Sequence, residues 1–542
     1  MIANTVAEFS REAARRYLQS AVFIDDNIYD RATATLAAPE VVEARRPKPA
    51  IFDDPAALES TPLPETRPEP DPPFRTQDLV GSFAKHGIVC APYEPERNFD
   101  TDEKSTVFQL CETVDLVILD WDFHEVGLTG GKPKDLIARL VKQSNAVAPH
   151  HVRLIAIYTT TPRLGSISSA VFDYLEQQGI PVQPEDNDEL RLQCGSTRLV
   201  ILGKPGPGRK EGEMTHVVEE KDLANWLLKE FAAMNRGILP SCALLGMAAV
   251  RMNSRRILDK FSARLDGQFL FHRSLVREDG EAFDQLPELL ADEIRAAMED
   301  SDMLPIDLTS LVSSALEDIQ VHTVAWKIQE TPAADFLRKF IEQGDAAETK
   351  KVIGKIKDKK QEMAGMLSTP GGSEHLEFGE LLSGRTNYRK GCRTLGFGTV
   401  VREILPMVTD GGGFPMSICL MPACDSIRLD LENAAAFPFW LLETDSKGHA
   451  QCVQTPEGSF LETVLCGKIR DNLWMEKFKP DATGKVNFVE DSGRQIIRTG
   501  ARAFEWVAQL KPAHAQRLAH AVGQSFSRVG LTEAEWLRLA HA

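Results

Sequence analysis

Short apolar runs alternate with amphipathic stretches along the first 235 residues of the chain. The runs have the length and β-branched character of buried strands, and the stretches between them place apolar residues at helical spacing. Strands are predicted at residues 21–24, 87–91, 115–120, 152–159 and 197–204. Helices are predicted at residues 4–19, 76–86, 105–113, 133–143, 168–178 and 221–234. Because apolar strands separated by helices are typical of a sheet covered on both faces, the pattern predicts an α/β fold with a doubly wound, five-stranded parallel sheet.

From residue 239 onward this alternation stops. Helical periodicity at 243–265, 286–298, 308–319 and 332–343 predicts an α-helical module. The last third combines apolar runs at 416–421, 437–442 and 460–466 with a helical tail. We therefore expect a first domain at 1–237 with a proline-rich insert at about 45–75, a helical module at 238–367 and an α+β domain at 376–542.

The composition excludes two classes of protein. A formal net charge of −17 over 542 residues argues against a nucleic-acid coat, because phosphate binding draws on surplus Lys and Arg. No stretch approaches the ~18 uninterrupted apolar residues that a membrane-spanning helix needs, and the N-terminal stretch lacks the apolar core of a signal peptide. Nine cysteines without a CxxC pair indicate reduced thiols. A cytoplasmic protein that binds neither membranes nor nucleic acid is predicted.

Charged and hydroxyl side chains follow four of the predicted strands. Asp25 and Asp26 come after the first strand, Asp120 ends the third, Thr159 ends the fourth and Lys204 ends the fifth. Taken singly, such residues are more often helix caps or solvated loop residues. Chemistry collects at the carboxyl ends of parallel strands, however, and an acid pair with a third carboxylate suits Mg²⁺. The pattern therefore predicts a magnesium site at one edge of the sheet.

The order acid pair, VILD, hydroxyl and Lys-Pro is similar to the receiver domain of two-component response regulators, over residues 18–235 apart from the insert. The resemblance implies that Asp120 is a phosphoacceptor that forms an aspartyl phosphate. It also implies that Asp25 and Asp26 bind Mg²⁺, directly or through water, and that Asp122 offers its backbone carbonyl to the metal.

The resemblance assigns roles to the other two strand ends as well. Thr159 is implied as the hydroxyl that reorients toward the phosphoryl group, with Thr160 as the alternative if the register slips by one. Lys204 is implied as the partner of a phosphoryl oxygen, and Pro205 as a residue that follows a cis peptide bond. The phosphoryl donor implied is a histidine kinase.

The leading helix, the VFIDD strand and the large region without a DNA-reading motif also resemble the atypical receivers of bacterial conflict and anti-phage two-component systems. This finer resemblance implies a protein that relays or absorbs phosphoryl groups. It leaves two further partners open: a second receiver-bearing effector protein, and a second copy of the chain in a homodimer.

Three other interpretations stay open. In the first, the receiver controls a catalytic C-terminal region, where Cys424 beside Asp425 is a candidate nucleophile, although no nucleophile–base pair or metal cluster is evident past residue 240 and a buried structural cysteine is the favoured interpretation of Cys424. In the second, LDWDF resembles the DxD motif of haloacid-dehalogenase-type phosphatases, with Asp120 as nucleophile and Asp122 as general acid–base. That family places its final acid pair after the lysine, whereas here the pair comes first. In the third, the receiver is a scaffold that is never phosphorylated.

Overall fold

The structure is a computed structural model of the chain. It describes residues 5–26, 28, 76–96, 98–123, 130–147, 152–185, 188–275, 281–301, 308–319, 321–322, 327–328, 331–343, 365–388, 391, 393–404, 416–427, 429–443, 449–465, 472–500 and 502–526. The proline-rich insert predicted at about 45–75 lies outside the described residues. The chain divides into two compact units, Met1–Glu317 and Asp318–Ala542. The three-domain division expected from the sequence stays a prediction.

The first unit contains a seven-stranded sheet in the order β2-β1-β3-β4-β7-β6-β5. Its strands are β1 Ser20–Ile24, β2 Val89–Tyr93, β3 Leu116–Leu119, β4 Arg153–Thr159, β5 Gln183–Glu185, β6 Asp188–Cys194 and β7 Thr197–Gly203. Strands β1 to β4 and β7 are parallel, which confirms the five parallel strands predicted from the sequence. The hairpin β5–β6 was not predicted; it adds two antiparallel strands beside β7, so the sheet is mixed.

Helices cover both faces of this sheet: α1 Val6–Tyr17, α2 Thr76–Ala84, α3 Thr106–Thr113, α4 Gly131–Val147, α5 Leu164–Gln177 and α6 Leu223–Met234. Two of them begin at capping hydroxyls, because the side chains of Thr5 and Ser105 accept backbone N–H bonds from the first turn. One apolar core lies between the sheet and α3, α4 and α5. A second core lies between the opposite face and α1, α2 and α6. The double layer makes the strands apolar on both faces and leaves polar residues to their ends.

Five further helices follow the sheet: α7 Ile238–Lys260, α8 Asp266–Leu275, α9 Glu281–Asp284, α10 Leu286–Glu299 and α11 Leu308–Asp318. Helix α7 packs against α1, and the two hydroxyls of Ser10 and Ser241 lie 2.9 Å apart in this contact. Arg251 of α7 also donates to Asp115 Oδ1, just before β3, at 2.8 Å. These contacts join the start of the helical region to the sheet.

The second unit is built on a nine-stranded sheet, which is antiparallel in every recorded pairing. Its elements are β8 Lys327–Ile328, β9 Thr331–Pro332, α12 Ala333–Gln343, α13 Glu374–Ser383, β10 Thr399–Ile404, β11 Met416–Cys419, β12 Ala435–Glu443, β13 His449–Gln454, β14 Phe460–Leu465, β15 Leu473–Phe478, β16 Val489–Asp491, β17 Arg494–Thr499, β18 Arg502–Gln509 and α14 Pro512–Phe526. Strands β10 to β18 form the large sheet, and β8 pairs with β9 alone. The combination agrees with the α+β class expected for this region.

The core of the second unit is rich in aromatic side chains. Phe439 stacks on Trp474 with ring centroids 4.4 Å apart, and Trp474 stacks on Phe504 at 5.6 Å. Helix α14 contributes to a core cluster on this sheet through Ala515 and Leu518. Among the described residues of both units, no helix is long and apolar enough to cross a membrane.

Candidate functional site

Three carboxylates meet at the carboxyl edge of the parallel sheet. Ile24 and Leu119 are paired in the register of β1 and β3, so Asp25 and Asp120 follow the two strands side by side. One oxygen each of Asp25, Asp26 and Asp120 lie within 4.8 Å of one another. The three residues are only 2%, 5% and 7% exposed. Like charges held this close in a buried site repel one another unless a cation lies between them.

Lys204 supplies one positive charge to this cluster. The chain leaves β7 at Gly203, which is paired with Thr159 in β4, and the Lys204 amide donates to Thr159 O at 2.7 Å. The Lys204 ammonium then lies 2.8 Å from Asp25 Oδ2 and 3.5 Å from Asp120 Oδ1. The Lys204 ammonium thus contributes one positive charge beside the three carboxylates.

Burial and the neighbouring charges shift the pKa values of Asp120 and Lys204. Burial raises the pKa of Asp120 to about 7; Lys204 acts in the opposite direction, and the Asp25 carboxylate adds to the rise. Burial alone would lower the pKa of Lys204, but the carboxylates of Asp120 and Asp25 outweigh it and the pKa is raised. The lysine is therefore a cation at neutral pH, whereas Asp120 is poised between its two protonation states.

The donor set fits a hard divalent cation. Among the residues that the structure describes, this is the one group of three or more acidic, histidine or cysteine side chains placed to share an ion. Close by, Asp122 has a buried Oδ1 with no hydrogen-bond partner, an atom that an ion or its water could satisfy. Mg²⁺ prefers oxygen ligands and one or two carboxylates with water. Asp25, Asp26 and Asp120 would hold it.

A chain of hydrogen bonds runs from Asp120 to the end of β4. The Asp122 amide donates to Asp120 Oδ2 at 3.1 Å, and the Thr161 hydroxyl donates to Asp122 Oδ2 at 2.9 Å. The Thr161 amide donates in turn to Thr159 Oγ1 at 3.1 Å. Thr159 is completely buried, whereas Thr160 is exposed. The hydroxyl at the strand end is thus connected to the acid cluster through two intermediate residues.

Comparison with known proteins assigns this part of the chain. Residues 17–209 match the family model described as the response receiver domain. This region is a receiver domain. No match was found among the curated proteins or among the solved structures. The second unit lies outside the matched residues, so its family is not recognised.

The receiver brings together the side chains that the sequence singled out. Asp25, Asp26, Asp120 and Lys204 form one contact group, and Thr159 ends the neighbouring strand. The specific roles of these residues, and the use of the Asp122 carbonyl as a metal ligand, stay predictions. The prediction of a cis peptide bond before Pro205 is wrong, since none of the described peptide bonds is cis. The trans form is favoured by about 0.5–1 kcal/mol for most X–Pro bonds.

Two features of the receiver were missed by sequence reasoning. The hairpin β5–β6 covers residues 183–194, where no strand was predicted; its signal is the alternation of buried Leu190, Leu192 and Cys194 with more exposed neighbours. Arg209 was also missed, although its guanidinium contacts the ends of β4 and β7. Its acceptors are backbone carbonyls, which leave no trace in the sequence.

The alternative nucleophile, Cys424, lies in the second unit in a different setting. The expectation of a buried cysteine is wrong: Cys424 is exposed, and its thiol lies 3.5 Å from Asp425 Oδ1. Reactive cysteines are typically paired with a cationic or helix-terminal group rather than a carboxylate. The environment of Cys424 therefore gives no support to a catalytic role.

Proposed function

We propose that this receiver takes a phosphoryl group onto Asp120 from the phosphohistidine of a histidine kinase, with Mg²⁺ held by Asp25, Asp26 and Asp120. One observation carries the proposal. Oxygens of three buried carboxylates lie within 4.8 Å of one another, with the Lys204 ammonium against Asp25 and Asp120, an arrangement that suits a divalent cation and a phosphoryl group.

Phosphoryl transfer requires that the protein align the reacting groups and neutralise the charge on the phosphoryl oxygens. An oxygen of the Asp120 carboxylate attacks the phosphorus in line, the phosphorus–nitrogen bond of the donor breaks, and its electron pair leaves with the imidazole. Asp25, Asp26 and Asp120 would hold Mg²⁺, which would supply positive charge to the phosphoryl oxygens. The Asp122 amide holds Asp120 Oδ2 and so fixes the direction of the carboxylate. Lys204, already a cation, exchanges part of its contact with Asp25 for a phosphoryl oxygen.

Thr159 is the residue that would report the phosphoryl group to the rest of the receiver. Its hydroxyl now contacts Thr161, donating to Thr161 Oγ1 at 3.2 Å. Turning toward a phosphoryl oxygen breaks this contact and frees Thr161, which is bonded to Asp122. Phosphorylation then shifts the population of two arrangements of this segment, and the protein relays or absorbs the signal accordingly.

We place the protein in the cytoplasm, in a two-component system of bacterial anti-phage defence. The support is the likeness of its leading helix and VFIDD strand to atypical receivers of that kind, together with its unpatterned cysteines. A histidine kinase is the expected phosphoryl donor.

Intact-mass measurement tests the proposal. Acetyl phosphate with Mg²⁺ is expected to add one phosphoryl group to the wild-type chain, and chelator or Asp120→Asn should abolish the addition. Asp173→Asn, which changes an exposed acid on α5, is the matched control and should be labelled like the wild type. A label that persists in Asp120→Asn, or that is indifferent to chelator, contradicts the proposal. No label from acetyl phosphate, carbamoyl phosphate or a kinase would favour the scaffold interpretation.

A further inference from the structure

One arginine outside the acid cluster contacts both strand ends that carry the site. The Arg209 guanidinium donates through Nη2 to Thr159 O at 2.8 Å and to Lys204 O at 2.9 Å. Through Nη1 it donates to Thr161 O. A single side chain therefore joins the backbone of Thr159 to that of Lys204, at the point where β4 and β7 end.

The end of β7 is shaped to admit this guanidinium. A Cβ atom at Gly203 would lie 2.6 Å from Arg209 Cζ and 2.8 Å from Nη2. Glycine is not needed there for its backbone conformation, because its φ lies outside the left-handed range. The absence of a side chain at residue 203 is thus what lets Arg209 lie against the strand.

The segment that carries Arg209 also contacts the first turn of helix α5, which follows β4. Glu213 Oε1 accepts from the Gly165 amide, in the first turn of α5, at 3.1 Å. Glu213 is only 5% exposed, and its other oxygen has no hydrogen-bond partner. Burial lowers the pKa of Arg209, and the Glu213 carboxylate opposes this change. Arg209 and Glu213 therefore connect three elements: β4, β7 and α5.

We propose that Arg209 is a positioning residue for phosphoryl transfer, which fixes the separation of Thr159 and Lys204 and passes their displacement to α5 through Glu213. The inference rests on the proposed phosphoacceptor function. Thr159 and Lys204 must reach oxygens of one phosphoryl group, yet the β4–β7 pairing ends at Thr159 and Gly203. Beyond that pair, one direct bond joins the two residues, from the Lys204 amide to Thr159 O, and Arg209 adds hydrogen bonds to the carbonyls of both. The planar, multiply donating guanidinium suits this task, whereas the point charge of a lysine does not.

The geometry offers two independent ways to remove the contact. Arg209→Gln removes the guanidinium, and Gly203→Ala keeps it but displaces it, since the far end of a flexible side chain gives way to the new methyl group. Each change is expected to slow labelling of Asp120 by acetyl phosphate about 10- to 100-fold at saturating Mg²⁺, because misplacement of about 1 Å costs up to that factor. The double variant should be no slower than the more affected single variant.

The experiment uses the full chain and three matched proteins: Arg209→Gln, Gly203→Ala and Lys210→Gln. Lys210 is an exposed neighbour, so its change removes a positive charge without touching the two strand ends. Initial labelling rates are measured by intact mass well below the unfolding temperature, and Mg²⁺ affinity is followed by the change in tryptophan fluorescence, to which Trp121 beside Asp120 contributes. Slow labelling in the first two variants with unchanged Mg²⁺ affinity, and wild-type behaviour in Lys210→Gln, is the expected result. Equal slowing in all three would show a charge effect and overturn the positioning role.

Hydrogen exchange separates failure of this inference from failure of the proposed function. Amides of residues 159–165 should exchange faster in both Arg209→Gln and Gly203→Ala than in the wild type. Unchanged exchange together with normal labelling overturns the role of Arg209 while leaving Asp120 as phosphoacceptor. A wild-type chain that takes no label with Mg²⁺ overturns both claims.

Discussion

The two large sheets of this protein differ in what surrounds their buried acids. At the edge of the parallel sheet, Asp25 and Asp120 share the ammonium of Lys204, and Asp26 lies in the same acid cluster. In the antiparallel sheet the acids face arginines. Glu505 accepts from Arg402 at 2.7 and 3.1 Å, and the two oxygens of Glu403 accept from Arg502 at 2.7 and 2.9 Å.

The difference shows in the direction of the pKa shifts. The Arg502 guanidinium lowers the pKa of Glu403, and Arg402 lowers that of Glu457 to about 2, so these acids favour the folded state at neutral pH. Burial raises the pKa of Asp120 instead, so ionisation of Asp120 disfavours the folded state. Acids whose pKa is lowered by an arginine contact indicate structural pairs, whereas a cluster of buried acids that includes one with a raised pKa is a candidate ligand site.

The largest effect is expected from breaking a paired charge in the antiparallel sheet. Glu505→Ala leaves Arg402, which is mostly buried, with only its more exposed partner Glu457. Removing one member of a buried ion pair costs about 3–5 kcal/mol, and the second unit should lose stability toward the lower end of that range. Hydrogen exchange of the β10 and β18 amides in denaturant measures the loss. A change under about 1 kcal/mol would show that this pair is not a structural contact.

A smaller change of opposite sign is expected in the parallel sheet. An acid whose folded pKa is raised from 3.8 to about 7 contributes stability below the unfolded value and loses it as the pH rises through the folded value. Asp120→Asn should therefore stabilise the metal-free first unit by on the order of 2 kcal/mol at pH 8, with the gain disappearing by about pH 4. Unfolding measured from pH 4 to 8 with chelator tests this. A destabilised variant at pH 8 would show that the cluster is already neutralised.

Magnesium should act on one unit only. Binding to the folded state alone adds about 1.4 kcal/mol when the ion is at ten times its Kd. The added stability should slow hydrogen exchange of the β1, β3 and β7 amides. Exchange of the β10 and β18 amides should not change. Asp120→Asn serves as control and should respond weakly. An equal response in both sheets would mean that the effect is general ionic screening.

The smallest effect is expected at an exposed ion pair of the second unit. Arg498 lies 2.6 Å from Asp491, but the two side chains are 64% and 47% exposed. Such pairs are screened by water, so Arg498→Ala should change stability by less than about 0.5 kcal/mol. The same exchange measurement on β17 provides the value. A loss of stability as large as that of Glu505→Ala would show that solvent exposure does not decide how much an ion pair contributes.

The sequence predicted the parallel sheet and its acid edge because both are local properties. Runs such as LVIL at 116–119 are apolar on both faces, as expected for buried parallel strands. Because neighbouring parallel strands end at the same edge of the sheet, the sequence alone predicts that Asp25 and Asp120 lie close together. The structure adds the burial of the cluster and the lysine contacts, which depend on how far each side chain reaches.

Other parts depend on pairings that the sequence does not encode locally. Strand β10 pairs with β18 about a hundred residues later, and β10 was not predicted at all. Arg209 acts through backbone carbonyls, so neither its partners nor the role of Gly203 has a residue-type signal. Long-range register and backbone contacts were therefore the limits of sequence reasoning here.

Mapping the phosphorylated residue tests the central claim most directly. The full chain is incubated with acetyl phosphate and Mg²⁺, reduced with borohydride to convert an aspartyl phosphate to homoserine, and digested for peptide sequencing by mass spectrometry. The account predicts homoserine at residue 120 alone, absent when chelator replaces Mg²⁺. Homoserine at Asp25, Asp26 or Asp122 instead, or a stable label on a serine, threonine or histidine, would contradict it.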